Sequence, residues 1–275
     1  MSEKELEEEI GVAISGGAEA NNRVKNETDP GACRHGNFMN YYQFHLVEER
    51  LQQLPQSVWH AEPTERKYVG MDVGCNAGNL TLALYDFLKK NVDAPGDVEI
   101  SLLGIDLDPV LIERAKEANN FPADKRRNVI YSCVDFMSEP DRKIAVDRFL
   151  SENKRDYFDV VFCFSITMWV HLNHGDSGLV DFLKSVCEKT KIIVVEPQPW
   201  KCYRNASRRL RRANLPDFQS INSLRYNGDV ETHVGNILRD QCGFERVIET
   251  GGNEWGRILL IYKRKESADK ICQDR

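Results

Sequence analysis

The sequence predicts an α/β protein built on a doubly wound, mostly parallel sheet with helices on both faces. Three observations carry that expectation. Apolar runs of six or seven residues recur at 69–74, 100–105, 158–164 and 191–196, separated by turns and helix-length segments. The first run lies in VGMDVGCNAGNLTL (69–82) and passes directly into a Gly/Asn-rich turn and a new helical pattern. The second lies in LLGIDLDP (102–109) and ends in carboxylates. Acids at that point stand where an open α/β sheet gathers its ligands, outside the carboxyl ends of the strands.

Residues 1–35 are charged and Gly/Asn-rich without a core pattern, so they are expected to be a flexible tail. Residues 36–54, GNFMNYYQFHLVEERLQQL, form an aromatic-rich lead-in expected to be helical. The strand at 69–74 is followed by a helix to about Leu88, a polar loop NVDAPGD (91–97), a second strand and a helix at 109–118. A short third strand at 128–134 runs into Asp135 and Phe136. The charged stretch 139–156 accommodates a helix and a surface loop before FDVVFCF (158–164), the fourth strand. Residues 165–177 read as a loop, 178–188 as a helix and KIIVVE (191–196) as the fifth strand. A basic helix at 203–213 and a further helix at 232–241 precede two late strands, 244–250 and 257–264, expected to form an antiparallel edge. One domain over 36–265 with a short tail at 266–275 is the economical organisation.

The 275 residues suffice for one substantial core, and a net charge of −6 does not announce a nucleic-acid partner. Local fields in a cleft can still override the whole-chain sign. The eight cysteines lack close paired spacing, which favours reduced thiols and a cytoplasmic location. No apolar stretch is long enough to span a membrane and no secretory leader is evident, so no membrane association is expected.

The turn after the first strand favours S-adenosylmethionine over a dinucleotide. Gly74, Asn76 and Gly78 do not complete the GxGxxG pattern that a pyrophosphate requires at a helix N-terminus. A nucleoside with an amino-acid tail needs a different turn and an acid for its ribose hydroxyls. Asp106 is the candidate for the ribose and Asp72 for orienting the turn. Asn76 is the candidate for the amino-acid portion, and Asp135 with Phe136 for adenine. Simpler roles compete: Gly74 and Gly78 as turn glycines, Asp106 as a cap for the helix starting near Pro109.

Four separated segments, GNFMNYY, DVGCNAGNL, SITMWVHLNHGDSGL (165–179) and VVEPQPWKCY (194–203), closely resemble the Bicoid-interacting-protein-three family of RNA methyltransferases. The resemblance spans 36–263 and is greater to the cytoplasmic members acting on RNA 5′-monophosphates than to the nuclear methylphosphate capping enzymes. It implies a class I methyltransferase fold, a Rossmann-like seven-stranded mixed sheet, and S-adenosyl-L-methionine as cofactor. The implied cofactor contacts are Arg50, Asn76, Asp106, Asp135, Phe136 and Phe164, with Arg50 facing the methionine carboxylate. The implied partner is RNA with a 5′-monophosphate, chiefly histidine transfer RNA and secondarily microRNA precursors, engaged by a monomer. Phe164 stands where the family often has methionine, and the lead-in departs from the nuclear members around Phe44 and His45.

For the acceptor end, His171, Glu196, Lys201 and Tyr203 are the catalytic candidates, and Tyr42, His174 and Trp200 are candidates for shaping the substrate pocket. His171 is expected to tune protonation and Glu196 to hold a histidine or another donor. Loop hydrogen bonds are the plain alternative for the histidines, and Trp200 as a core seal is the rival for that aromatic. His171, His174 and Asp176 make a weak metal set, so no metal is expected. Arg204, Arg208 and Arg212 recur at i,i+4 in a segment without acids, a candidate RNA-backbone surface or a merely solvated face. The rival functions are a triphosphate-end cap synthase, a small-molecule methyltransferase and an RNA-binding scaffold without turnover.

Overall fold

A computed structural model describes residues 31–94, 96–120 and 127–266. Two short helices, α1 (Tyr41–Phe44) and α2 (Val47–Gln53), lead into β1 (Lys67–Val73), α3 (Asn79–Asn91), β2 (Glu99–Asp106), α4 (Pro109–Asn120) and β3 (Val129–Cys133). Then come α5 (Glu139–Glu152), β4 (Phe158–Phe164), α6 (Thr167–Glu188), β5 (Thr190–Glu196) and α7 (Trp200–Arg212). The chain ends with α8 (Val230–Asn236), a π-helical turn (Ile237–Gln241), β6 (Phe244–Glu249) and β7 (Leu260–Arg264).

The sheet runs β3-β2-β1-β4-β5-β7-β6, with β1 to β5 parallel and β7 antiparallel to both β5 and β6. Strand order reverses between β1 and β4, so the crevice of the doubly wound sheet opens at their carboxyl ends. Both faces are covered, which is why the central strands read as continuous apolar runs; all seven residues of β4 are buried. Val69, Met71 and Val73 of β1 pack toward α5, α6 and α7, whereas Tyr68 packs toward α3 and α4. Leu80, Leu84 and Leu88 recur at i,i+4 and bury one stripe of α3 on the sheet. Truncating a leucine so enclosed costs about 2–5 kcal/mol.

The structure departs from the sequence expectations in four places. The lead-in is two helices broken at His45 and Leu46, whose backbones are extended. That break lets Tyr41 from α1 and Arg50 from α2 meet at 2.7 Å. Residues 167–174, expected as loop, are the first turns of α6, which kinks at the non-helical Gly175 (φ 72°, ψ −172°) before its second part runs to Glu188. Burial of Met168, Trp169, Val170 and Leu172 holds the first turns helical, and the turn-forming Asn173 to Asp176 supply the kink. Pairing of β7 begins at Leu260, not 257, and the preceding residues form a loop. Packing reaches back before residue 36: Arg34 stacks 5.2 Å over Phe218. The rest of the expected tails, 1–30 and 267–275, lies outside the described residues.

Candidate active site

The chain leaves β1 through a turn that needs left-handed backbone three times, at Gly74 (φ 80°), Asn76 (φ 51°) and Gly78 (φ 79°). Glycine and asparagine are the residues that enter this region most readily. The turn folds onto β2: Gly74 N–H and Cys75 N–H donate to Ile105 O at 2.8 and 3.0 Å. Asn76 N–H donates to Asp106 Oδ2 at 2.9 Å, and Asp108 N–H to Oδ1 at 3.0 Å. Burial pushes the Asp106 pKa up, and these N–H donors pull it back. A carboxylate has about four acceptor positions, so two donors leave capacity for two more. The helix cap proposed for Asp106 belongs instead to Asp108, which accepts from Val110 N–H at 2.9 Å.

Gly74, Asn76 and Asp106 line a cavity of about 360 Å³ at the carboxyl edge of the sheet, within the range of small-ligand sites. Tyr42, Arg50, Asp135, Phe136, Phe164 and His174, all candidate site residues from the sequence, line it too. Phe136 is fixed by a perpendicular contact with Phe182 (5.2 Å) and by Arg142, which donates to its carbonyl at 2.8 Å. Two expected cofactor residues are not on the cavity wall. Asp72 is buried, with Thr81 Oγ1 donating to it at 2.6 Å, and burial lifts its pKa to about 6. It ties β1 to α3. Gly78 is a packing glycine: a Cβ there would stand 2.6 Å from the Tyr131 hydroxyl oxygen.

Tyr41, Arg50 and Ser165 also line the cavity, and they belong to a buried ion cluster. Arg50 Nε donates to Glu196 Oε2 at 2.9 Å, and Arg257 Nη1 to Glu196 Oε1 at 3.1 Å. Ser165 Oγ donates to Glu196 and accepts from Arg257 at 2.7 Å and from Arg50 at 3.0 Å. The Tyr41 oxygen accepts from Arg50 at 2.7 Å and from Arg257 at 3.2 Å. Burial alone would raise the Glu196 pKa, but the two guanidiniums hold it at about 2. The donors that Glu196 holds in register are therefore arginines, not a histidine. Arg50 is paired with Glu196 and also lies on the cavity wall. Two cations and one anion leave an excess positive charge there.

His171 and Tyr203 are corrected by the structure. Both are fully buried and bonded to each other, Nδ1 to hydroxyl, at 3.1 Å. His171 Nε2 lies 2.8 Å from Asp176, which also accepts from Arg225 N–H and Tyr226 N–H. Burial keeps His171 below its ordinary pKa despite that carboxylate. This network joins α6, α7 and the segment after α7 and gives neither side chain access to a substrate. Trp200 is half-buried on Tyr203 (4.8 Å) and does not line the cavity, so it is nearer the core-seal reading. Lys201 is exposed beside Gly256. Arg204, Arg208 and Arg212 are exposed on one face of α7, opposite the buried Tyr203, Ala206, Ser207 and Leu210.

Arg257, Tyr41 and Ser165 were not anticipated. Arg257 carried no local signal because it precedes an ordinary strand and its partner lies 61 residues away.

A family model described as Bicoid-interacting protein 3 matches residues 158–264. The RNA 5′-monophosphate methyltransferase of Bos taurus is 41% identical over 249 residues, covering 88% of this chain and 84% of that one. The Homo sapiens protein of that name is 40% identical, covering 87% and 84%. The pre-miRNA 5′-monophosphate methyltransferase of Xenopus laevis is 39% identical, covering 86% and 94%. Among solved structures, a magnesium protoporphyrin IX methyltransferase from Synechocystis with bound S-adenosylhomocysteine superposes with a TM-score of 0.50 at 12% identity, covering 82% and 85%. That likeness concerns the fold alone, a class I Rossmann-like methyltransferase fold with a seven-stranded mixed sheet. The identities extend over most of both chains and well beyond the segment matched by the family model: the chain belongs to the Bicoid-interacting protein 3 family, alongside the RNA 5′-monophosphate methyltransferases.

Proposed function

We propose that the chain methylates the 5′-monophosphate of RNA with S-adenosylmethionine, with histidine transfer RNA as main substrate and microRNA precursors as secondary ones. The observation that carries this reading is one cavity lined both by Asp106 and Asp135 and by Tyr41 and Arg50 of the cationic cluster. The relatives named for this activity support it.

The donor set fits the cofactor: Asp106 retains acceptor capacity for two ribose hydroxyls, and Asp135 and Phe136 offer an acceptor and a flat apolar wall for adenine. S-adenosylmethionine supplies an electrophilic methyl group. A phosphate monoester is already anionic at neutral pH, so this chain needs no strong general base. Its residues have to align the phosphate and balance its charge. Tyr41 and Arg50 on the cavity wall are suited to that task, and Glu196 and Arg257 keep them fixed.

Matched transfer RNAs with 5′-hydroxyl, 5′-monophosphate and 5′-triphosphate ends, offered with labelled methyl donor, test the reading. Label is expected on the monophosphate alone and is lost with the terminal phosphate. Preference for the triphosphate, label in the bases, or RNA binding without any transfer would replace it with the capping, base-methylating or scaffold alternative respectively.

The exposed face of α7 is assigned to the RNA backbone. Changing Arg204, Arg208 and Arg212 together to alanine is expected to weaken RNA binding tenfold or more. The slope of log affinity against log salt should fall by about 2–3, since each duplex phosphate contact adds ~0.9. Affinity for S-adenosylhomocysteine stays unchanged. Equal salt slopes in parent and variant would remove α7 from the interface.

A further inference from the structure

Trp255 lies in the loop between β6 and β7 and is 45% exposed. The loop is pinned from inside and out. Trp255 N–H and Arg257 N–H both donate to Asn253 Oδ1 at 3.0 Å, and Asn253 N–H donates to Arg257 O at 2.9 Å. Gln53 Nε2 reaches across from α2 to Gly251 O (2.9 Å) and Arg257 O (3.2 Å). Two residues after the indole, Arg257 enters the Glu196 cluster. The loop's shape is thus held by Asn253, Gln53 and Arg257, and the large exposed ring is not needed to close it.

The indole does not line the cavity but is joined to its wall through two ring contacts. It meets His45 in a near-perpendicular contact at 5.0 Å, and His45 meets Tyr41 at 4.9 Å. Tyr41 is the hydroxyl shared by Arg50 and Arg257. Burial, with help from Arg257 and Arg50, takes the His45 pKa down to about 3, so the ring beside the indole is neutral at neutral pH. On the other side of the loop, Lys201 Nζ would stand 3.4 Å from a Cβ at Gly256. A wide π surface therefore adjoins a fixed cationic pocket, with a further ammonium at its edge.

We propose that Trp255 is the stacking platform for the base of the RNA's 5′-terminal nucleotide. This rests on the 5′-monophosphate reading above. A phosphate held at Tyr41 and Arg50 brings its own nucleoside to the neighbourhood of this loop, and every base has a flat face to lay on an indole. Such stacking tolerates all four bases and is strong enough to matter in binding.

The test uses RNA with a 5′-monophosphate whose terminal nucleotide either carries its base or is abasic, with the parent protein, Trp255→Ala and Trp255→Phe. Removing the base is expected to weaken binding to the parent about tenfold. Trp255→Ala loses the same factor on the base-bearing RNA and nothing further on the abasic one. Trp255→Phe recovers most of the loss, and in turnover KM moves more than kcat. Unchanged binding in Trp255→Ala, or equal losses on both RNAs, would overturn the proposal; the second result would make the indole a loop support. Unaltered affinity for S-adenosylhomocysteine shows that the variants are folded. Binding is read apart from methyl transfer: a parent that binds but never methylates monophosphate ends counts against the function, whereas an active parent indifferent to Trp255 counts against the stacking alone.

Discussion

Asp106→Ala is expected to lower affinity for S-adenosylhomocysteine at least a hundredfold, as measured by calorimetric titration. Two hydroxyl donors to an ionised acceptor contribute about 1.5–3 kcal/mol each, and ~2.7 kcal/mol is already a hundredfold. The variant also strands the N–H groups of Asn76 and Asp108, both of which donate to Asp106. That loosens the turn between β1 and α3, so the loss of affinity combines a missing contact with a less fixed cradle. Asp108→Ala is the control for a local loss of stability, because it removes the cap but keeps the N–H that donates to Asp106. Asp108 accepts from Asn37 at 2.8 Å and caps α4, but no oxygen of it is assigned to the cofactor. Its replacement is expected to lower stability by about 1 kcal/mol and leave affinity within a few-fold. RNA affinity in Asp106→Ala stays near that of the parent. Equal cofactor affinity in Asp106→Ala and parent would remove Asp106 from the ribose site.

The carboxyl edge of the sheet was legible because its signals are local. An apolar run fixes a strand, the residue after it falls at the strand end, and Asp106 and Asp135 are read off directly. Gly74 and Asn76 announce a turn for the same reason. What escaped was set by partners distant in the chain. Arg50 and Glu196 are 146 residues apart, and nothing near either residue says that they meet. His171 and Tyr203 look like chemistry in a linear string, because burial is decided by which face of α6 and α7 they occupy. Reading 167–174 as loop removed the helical spacing that sets His171 beside the buried Thr167 and Met168. The basic stripe of α7 was legible because i,i+4 spacing is itself local.

Glu196 sets the stability of the cationic cluster, and Glu196→Ala is expected to destabilise the protein by about 3–5 kcal/mol in urea unfolding, because it leaves two buried guanidiniums without their carboxylate. Glu196→Gln keeps an acceptor of the same shape and should cost less, which separates charge from packing. The pH dependence gives an independent check. The folded pKa of about 2 is depressed below the ordinary glutamate value of 4.5, so the contribution is fully present above pH 4.5 and is lost as pH falls toward 2. Its size is on the order of 3 kcal/mol. Asp72 has the opposite sign: its pKa is raised to about 6, so its ionisation costs stability as pH rises from about 4 to 6 and costs nothing in the most acidic range. Subtracting the Glu196→Gln curve from the parent curve cancels Asp72 and leaves Glu196. The gap between the two is expected to be constant from pH 7 to 5 and to close between pH 4.5 and 2. Parallel curves across that range would mean that the carboxylate does not stabilise the cluster, and that neighbours such as Ser165 and Tyr41 hold Arg50 and Arg257 in place.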